Sequence, residues 1–151
     1  MEIFLDNRVG PKVPGLAGLA PGIKRALNSL SCPPDTELSV VLTDNQEIAE
    51  LNRRFLGRRG ATNVLAFPMA QGELKGTNPG LLGDVVVSVE YAAQEASENG
   101  LDEAEHLMRL LLHGILHLLG YDHIGDKVKA RQMEELTESL LDLSLNPAKE
   151  G

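Results

Sequence analysis

The sequence has only one cysteine among its 151 residues. It also lacks an apolar run of the ~20 residues that are needed to cross a bilayer. A single cysteine, Cys32, excludes an internal disulfide. The start, MEIFLDNR, lacks the basic and apolar regions of a signal peptide. We therefore expect a cytoplasmic protein without a membrane partner.

The chain also lacks an excess of basic residues, since 22 acidic residues face 14 basic ones and the net charge is −8. This balance argues against a general nucleic-acid coat, and we expect no DNA binding. The segment RRFLGRR nevertheless places four arginines within seven residues, at positions Arg53, Arg54, Arg58 and Arg59. Such a patch can hold one anionic substrate, although a solvated helix end followed by a basic loop has the same pattern.

Strand and helix patterns predict an α/β fold: a single domain over residues 1–151, with one mixed sheet packed against helices. Strands are predicted at residues 1–8, 37–42, 63–68 and 83–89. Helices are predicted at about 22–30, 45–55, 90–99, 103–119 and 127–143. Residues 11–22 are rich in proline, glycine and alanine, residues 71–80 read as a loop, and residues 144–151 as a flexible tail.

The longest helix is predicted to be central and buried. Asp102 with Glu105 forms a capping box at its start, as Asp44 with Glu47 does for an earlier helix. Its many leucines leave few polar faces, which is typical of a helix surrounded by the core. Gly120 can adopt the left-handed turn that ends it.

Three of the four histidines lie in the stretch HGILHLLGYDH, residues 113–123. His113 and His117 are one helical turn apart, so both imidazoles can face one ion, and His123 can supply a third nitrogen from beyond the turn. Three histidines leave a fourth position for water, as in catalytic zinc sites. Core histidines bonded to the backbone are the alternative, but this spacing in so apolar a setting favours one zinc ion per chain at the C-terminal end of the central helix.

Two further polar residues lie near these histidines. His106 precedes His113 by about 10.5 Å along the helix axis, too far to share its ion, and we interpret it as structural or as a support for the site. Asp122 could orient a ligand imidazole or act on a proton, and a role in capping the turn fits it equally well.

The spacing matches the frame His-x-x-x-His-x-x-Gly-x-x-His of the metzincin peptidases, in which a glutamate follows the first histidine. Gly114 stands at that position and cannot take a proton from water. Metal-assisted hydrolysis then suits a substrate whose charges meet the metal and nearby arginines, and a phosphodiester fits better than a peptide. A metallopeptidase or other metal hydrolase with Asp84 or Asp122 as its base remains an alternative.

The stretch HGILHLLGYDH resembles, at all eleven positions, the signature of the YbeY family of bacterial ribosomal-RNA maturation endoribonucleases. LNRRFLGRRGATNVLAFP and LLGDVVVS resemble two more of its blocks, so the resemblance covers about residues 38–136. It implies a zinc-dependent, single-strand-specific endoribonuclease that matures the 3′ end of the small-subunit (16S) ribosomal RNA and acts in ribosome quality control. It also implies His113, His117 and His123 as zinc ligands, and the small ribosomal subunit with its assembly factors as partners.

The chain departs from the family pattern where Tyr-Arg is replaced by Phe55-Leu56. Leu56 cannot do the work of the arginine, which the resemblance implies to be functionally important, and we hypothesise that Arg58 or Arg59 reaches the same phosphate. Since only five side chains are aromatic, we expect backbone-led binding of single-stranded RNA with weak sequence preference. A ribosome-associated factor with zinc but little catalysis is the second alternative.

Overall fold

A computed structural model of the protein describes residues 1–69, 80–121 and 125–146. These residues form a four-stranded mixed sheet and five helices, which confirms the predicted α/β class. The strands are β1 (Glu2–Asn7), β2 (Glu37–Thr43), β3 (Val64–Pro68) and β4 (Leu81–Ser88). The helices are α1 (Leu16–Ser29), α2 (Asn45–Leu56), α3 (Val89–Asn99), α4 (Glu103–Leu118) and α5 (Lys127–Leu145).

The sheet has the strand order β1-β2-β4-β3. β1, β2 and β4 run parallel, and β3 pairs antiparallel with β4 at the edge. The apolar run Val85–Val87 explains the central place of β4, because a strand covered on both faces needs apolar side chains on both. The predicted mixed sheet is thus present, with β4 between β2 and β3.

The start of α1 differs from the sequence prediction. The helix begins at Leu16 and not near Gly22, and it contains Pro21, which has no N–H to donate to the carbonyl of Ala17. Leu19 and Ile23 are nevertheless buried in the core on either side of this proline. The prediction was wrong because burial of these side chains outweighs the weak helix propensity of a proline- and glycine-rich segment.

Two helices begin at the capping residues that the sequence predicts. The Asp44 carboxylate accepts a hydrogen bond from the backbone N–H of Glu47 at 2.9 Å, and Asp102 accepts one from Glu105 at 3.0 Å. At the other end of the chain, α5 continues to Leu145, so residues 144 and 145 of the predicted tail are helical. Residues 147–151 and most of the predicted loop 71–80 lie outside the described residues.

α4 is the central helix, as predicted. It packs against β3, β4, α3 and α5, and it buries nine of its residues. The other face of the sheet is covered by α2, where Ile48 packs with Leu65 and Val86 in a second, smaller cluster. Within the described ranges, no helix is long and apolar enough to cross a membrane. α4 and α2 therefore lie on opposite faces of the sheet, and this separation decides which side chains can act together.

Candidate metal centre

The histidine pair of α4 has the geometry of two ligands to one metal ion. The Nε2 atoms of His113 and His117 lie 3.1 Å apart, and the rings meet edge to face with centroids 4.6 Å apart. Two nitrogens that each lie about 2.0–2.1 Å from a tetrahedral zinc are separated by about 3.3 Å. Both side chains are half-buried, so a metal ion held between them would remain accessible from solvent.

The third predicted ligand, His123, lies outside the described residues together with Asp122. Among residues 1–69, 80–121 and 125–146, no group of three or more His, Cys, Asp or Glu side chains is placed to hold a metal. The described part of the chain therefore contributes a pair of candidate ligands, His113 and His117. The set of three stays a prediction, as do the roles given to Asp122.

The end of α4 is closed by the turn that the sequence predicts. Gly120 has a φ of 94°, which favours glycine, and its N–H donates to the carbonyl of His117 at 3.0 Å. The N–H of Tyr121 donates to the carbonyl of Leu116, also at 3.0 Å, which completes a Schellman motif. The chain therefore leaves the helix immediately after the second histidine.

At Gly114, α4 lies so close to the sheet that a side chain has no room. A Cβ atom at this position would lie 2.7 Å from Cγ1 of Val85 and 3.2 Å from Cγ2 of Val64. β-Branched side chains in a packed sheet have few other rotamers to adopt. The packing thus excludes the glutamate that peptidases carry here, and it leaves the pair without a base at the adjacent position.

Asp84, proposed above as an alternative base, lies on the wrong face of the sheet. Its neighbour Val85 contacts α4, and successive side chains of a strand point to opposite faces. Asp84 instead lines a cleft of about 750 Å³ that Phe55, Leu56 and Phe67 also line. The structure therefore does not bring Asp84 together with His113 and His117, and it places Leu56 on this other face as well.

Two of the four clustered arginines are engaged within α2. Arg53 donates to Glu50 at 2.6 Å, and this hydrogen bond lowers the pKa of the Glu50 carboxyl and raises the pKa of Arg53. The guanidinium of Arg54 lies 5.4 Å from the ring centroid of Phe55. The cationic patch is thus partly neutralised on its helical side.

The other two arginines, Arg58 and Arg59, lie exposed in the loop between α2 and β3. Asn52, which is only 5% exposed, holds this loop at both ends. Its side-chain amide donates to the carbonyl of Gly60 at 3.0 Å, and its own carbonyl accepts from the N–H of Arg58 at 3.3 Å. The loop backbone is therefore fixed, while both guanidinium groups face the surface.

His106 belongs to a network that sequence reasoning only partly anticipated. Its Nε2 lies 3.1 Å from Oε1 of Glu95, and its Nδ1 lies 3.2 Å from Nη1 of Arg109. Arg109 also donates from Nε to Glu138 of α5 at 2.7 Å. The network agrees with the interpretation of His106 as structural, and its role in supporting the metal site stays a prediction. Arg109 was missed, although it lies three residues after His106 and four before His113 on one face of the helix.

Comparisons with known proteins agree with the signature. The model of the family Endoribonuclease YbeY matches residues 18–144. The Endoribonuclease YbeY of Syntrophotalea carbinolica is 45% identical over 133 residues, which cover 87% of this chain and 88% of that protein. The Endoribonuclease YbeY of Geobacter metallireducens is 43% identical over 135 residues, 89% of each chain.

A solved structure extends the likeness to the fold. The solution structure of TM1509 from Thermotoga maritima matches with a TM-score of 0.67 and 26% identity, over 95% of this chain and 89% of that one. The family model spans most of the chain, and the two relatives match it over nearly their whole length. This chain therefore belongs to the endoribonuclease YbeY family.

Proposed function

We propose that this chain is a zinc-dependent endoribonuclease that cleaves single-stranded RNA at the end of α4, with one zinc ion per chain. The observation that carries the proposal is the 3.1 Å separation of the His113 and His117 Nε2 atoms, in a member of a family named for endoribonuclease activity. His123 would complete the ligand set. The cellular substrate would be the 3′ region of the small-subunit ribosomal RNA, processed in the cytoplasm.

The histidines and the glycine between them have distinct tasks in this account. His113 and His117 direct their Nε2 atoms to one point, which sets where the ion is held. When bound, zinc would act as a Lewis acid that brings the pKa of water towards about 7. Gly114 supplies no proton acceptor, and its lack of a Cβ lets α4 lie close to Val85 of the sheet. Proton transfer therefore falls to a group other than the residue after the first histidine.

The substrate follows from the charge and the aromatic content of the chain. Arg58 and Arg59 present exposed cations that can meet the phosphates of a flexible strand. Of the few aromatic side chains, Phe55 and Phe67 pack edge to face with centroids 5.5 Å apart on the α2 face of the sheet. Recognition would thus be led by the RNA backbone, and the small ribosomal subunit and its assembly factors would direct the enzyme to its site.

Neither alternative is favoured. The peptidase interpretation needs a carboxylate beside the histidines, but Gly114 has no room for one and Asp84 faces away from them, while Asp122 lies outside the described residues. The interpretation as a factor with little catalysis rests on Leu56, yet Leu56 lines the cleft on the face of the sheet opposite α4. A leucine there leaves the histidine pair intact.

The proposal is tested by incubating zinc-loaded protein with single-stranded ribosomal RNA beside His117→Ala, prepared identically, and Gln132→Ala as a surface control. We expect cleavage by the unmodified protein and by the control, and none by His117→Ala. Equal cleavage by all three would point to a contaminating nuclease and refute the proposal. A matched assay on casein tests the peptidase alternative. The product ends show the nucleophile, because a 2′,3′-cyclic phosphate requires attack by the neighbouring 2′-hydroxyl.

A further inference from the structure

A cavity between α4 and α5 adjoins the histidine pair. Its volume is about 320 Å³, at the lower end of the range for ligand pockets. Arg109 and His113 line it from α4, and Met133, Glu134, Thr137 and Glu138 line it from α5. Arg109 and His113 are one helical turn apart, so their Cβ atoms are about 5–6 Å from each other. A metal-ligand candidate and a guanidinium group thus share one small cavity.

The guanidinium of Arg109 is fixed from two sides. Its Nε donates to Oε1 of Glu138 at 2.7 Å, and its Nη1 lies 3.2 Å from Nδ1 of His106. Because arginine can only donate, His106 must accept at Nδ1 and carry its proton on Nε2, which donates to Glu95. His106 is only 8% exposed, so this arrangement is held within the protein and not at a mobile surface.

A guanidinium group has five N–H donors, and the two contacts just described use two of them. The side chain of Arg109 is 22% exposed and lines the cavity, so its two partners do not enclose it completely. Planar, pre-oriented donors are suited to bind two oxygens of a phosphate at once.

The charge of the cavity does not oppose an anion once the metal is present. Glu138 is paired with Arg109, and Glu134 is exposed on α5. A divalent ion held by His113 would leave the cavity with a net positive charge. Leu56 lines the cleft on the other face of the sheet, and among the described residues Arg109 is the cation that lines this cavity together with His113.

We propose that Arg109 binds a backbone phosphate of the RNA beside the histidine site, held in place by His106 and Glu138. This inference rests on the proposed endoribonuclease function and adds a residue to it. Arg109 is a binding residue in this account, and His106 and Glu138 position it.

The test measures the affinity of a fluorescent, single-stranded 2′-O-methyl RNA oligonucleotide for the full zinc-loaded chain at several salt concentrations, and a gel checks that the oligonucleotide is not cleaved. We expect Arg109→Gln to weaken binding about tenfold near 0.1 M salt. The slope of log Kd against log salt should become shallower by about 0.7, as for one lost phosphate contact on a single strand. Arg109→Lys, which keeps the charge, should restore the slope.

Two controls separate this role from a structural one. Arg131→Gln removes an exposed arginine of α5 and should leave both affinity and slope within error. Glu138→Gln removes the negative charge beside Arg109 but keeps a side-chain oxygen that can accept from its Nε, so Arg109 stays in position and the variant should bind RNA at least as tightly as the unmodified chain. Thermal unfolding of each variant shows whether it is folded. If Arg109→Gln does not fold, the RNA affinity and salt slope of Arg109→Lys and Glu138→Gln are compared with those of the unmodified chain instead.

The inference is overturned by an unchanged slope in Arg109→Gln, by an equal loss in Arg131→Gln, or by matching losses in Arg109→Gln and Glu138→Gln. Absence of RNA binding by the unmodified chain also overturns it. Failure of the proposed function is a different result, namely RNA without 2′-O-methyl groups that is bound but not cleaved when zinc is supplied.

Discussion

Gly114 has no side chain, and this absence limits the chemistry that the end of α4 can support. A Cβ atom at this position would lie 2.7 Å from Cγ1 of Val85 in β4, so α4 can approach the sheet this closely only because residue 114 is a glycine. The same omission removes the carboxylate that a peptidase would use as its base. One small residue therefore serves the packing of the central helix and the choice of reaction.

Replacing Gly114 by alanine should lower the free energy of unfolding by about 1–2 kcal/mol, because the overpacked Cβ outweighs the gain in helix propensity. Chemical denaturation followed by circular dichroism measures the change. Gly18→Ala is the matched control, since Gly18 is also helical but has no heavy atom within 4 Å of an added Cβ. It should be neutral or stabilising by up to about 1 kcal/mol. Equal effects of the two substitutions would refute the packing argument.

Arg58 and Arg59 extend the phosphate contacts beyond the cavity, on the hypothesis that they replace the arginine missing at Leu56. Alanine at either position should lower the rate of RNA cleavage at limiting substrate about threefold to tenfold, through weaker binding of an exposed phosphate. Arg53→Ala is the control, because Arg53 is already paired with Glu50. Normal cleavage by both Arg58→Ala and Arg59→Ala would show that the hypothesis is wrong.

The sequence predicts the positions of some residues of the site better than those of others. Spacing alone predicted the pairing of His113 and His117, because helical periodicity fixes which side chains are neighbours. The reason for Gly114 and the place of Arg109 depend on β4 and α5, which are distant in sequence, and local patterns carry no information on such contacts. For Asp84, the sequence predicts that its side chain and that of Val85 point to opposite faces of the sheet, but not which face packs against α4. The structure shows that Val85 faces α4, so Asp84 points away from it.

At the scale of elements, α4 combines a strong start, an apolar body and a defined end. Asp102 caps its first turn, nine residues are buried along its length, and the Schellman turn at Gly120 closes it. These signals are local, which is why the sequence predicted this helix well. The start of α1 was missed because its helix depends on the burial of Leu19 and Ile23 in spite of Pro21.

Removing the cap of α4 should weaken the whole fold, because this helix contacts both the sheet and its neighbouring helices. Asp102→Ala is expected to lower the free energy of unfolding by about 1 kcal/mol. Glu135→Ala, which removes an exposed carboxylate within α5, should change it by less than about 0.5 kcal/mol. The two variants are compared by urea denaturation, and indistinguishable midpoints would contradict the assigned role of the cap.

At the scale of the molecule, the metal should couple the end of α4 to the stability of the entire domain. An ion that binds only the folded state at 100 times its Kd stabilises that state by about 2.7 kcal/mol, a rise in Tm of roughly 5–10 °C for a chain of this size. Thermal scans of metal-free protein with added Zn²⁺ should show this rise. The same scans of His113→Ala should show little of it, and an equal rise in both would place the ion elsewhere.

A titration of metal-free protein with Zn²⁺, in which the initial rate of cleavage of a single-stranded RNA is measured at each step, tests whether the histidine site carries the reaction. We expect the rate to rise in proportion to bound zinc and to reach a plateau at one zinc ion per chain. A rate that is independent of zinc, or a plateau at a different stoichiometry, would contradict the assignment of RNA hydrolysis to a single histidine site at the end of α4.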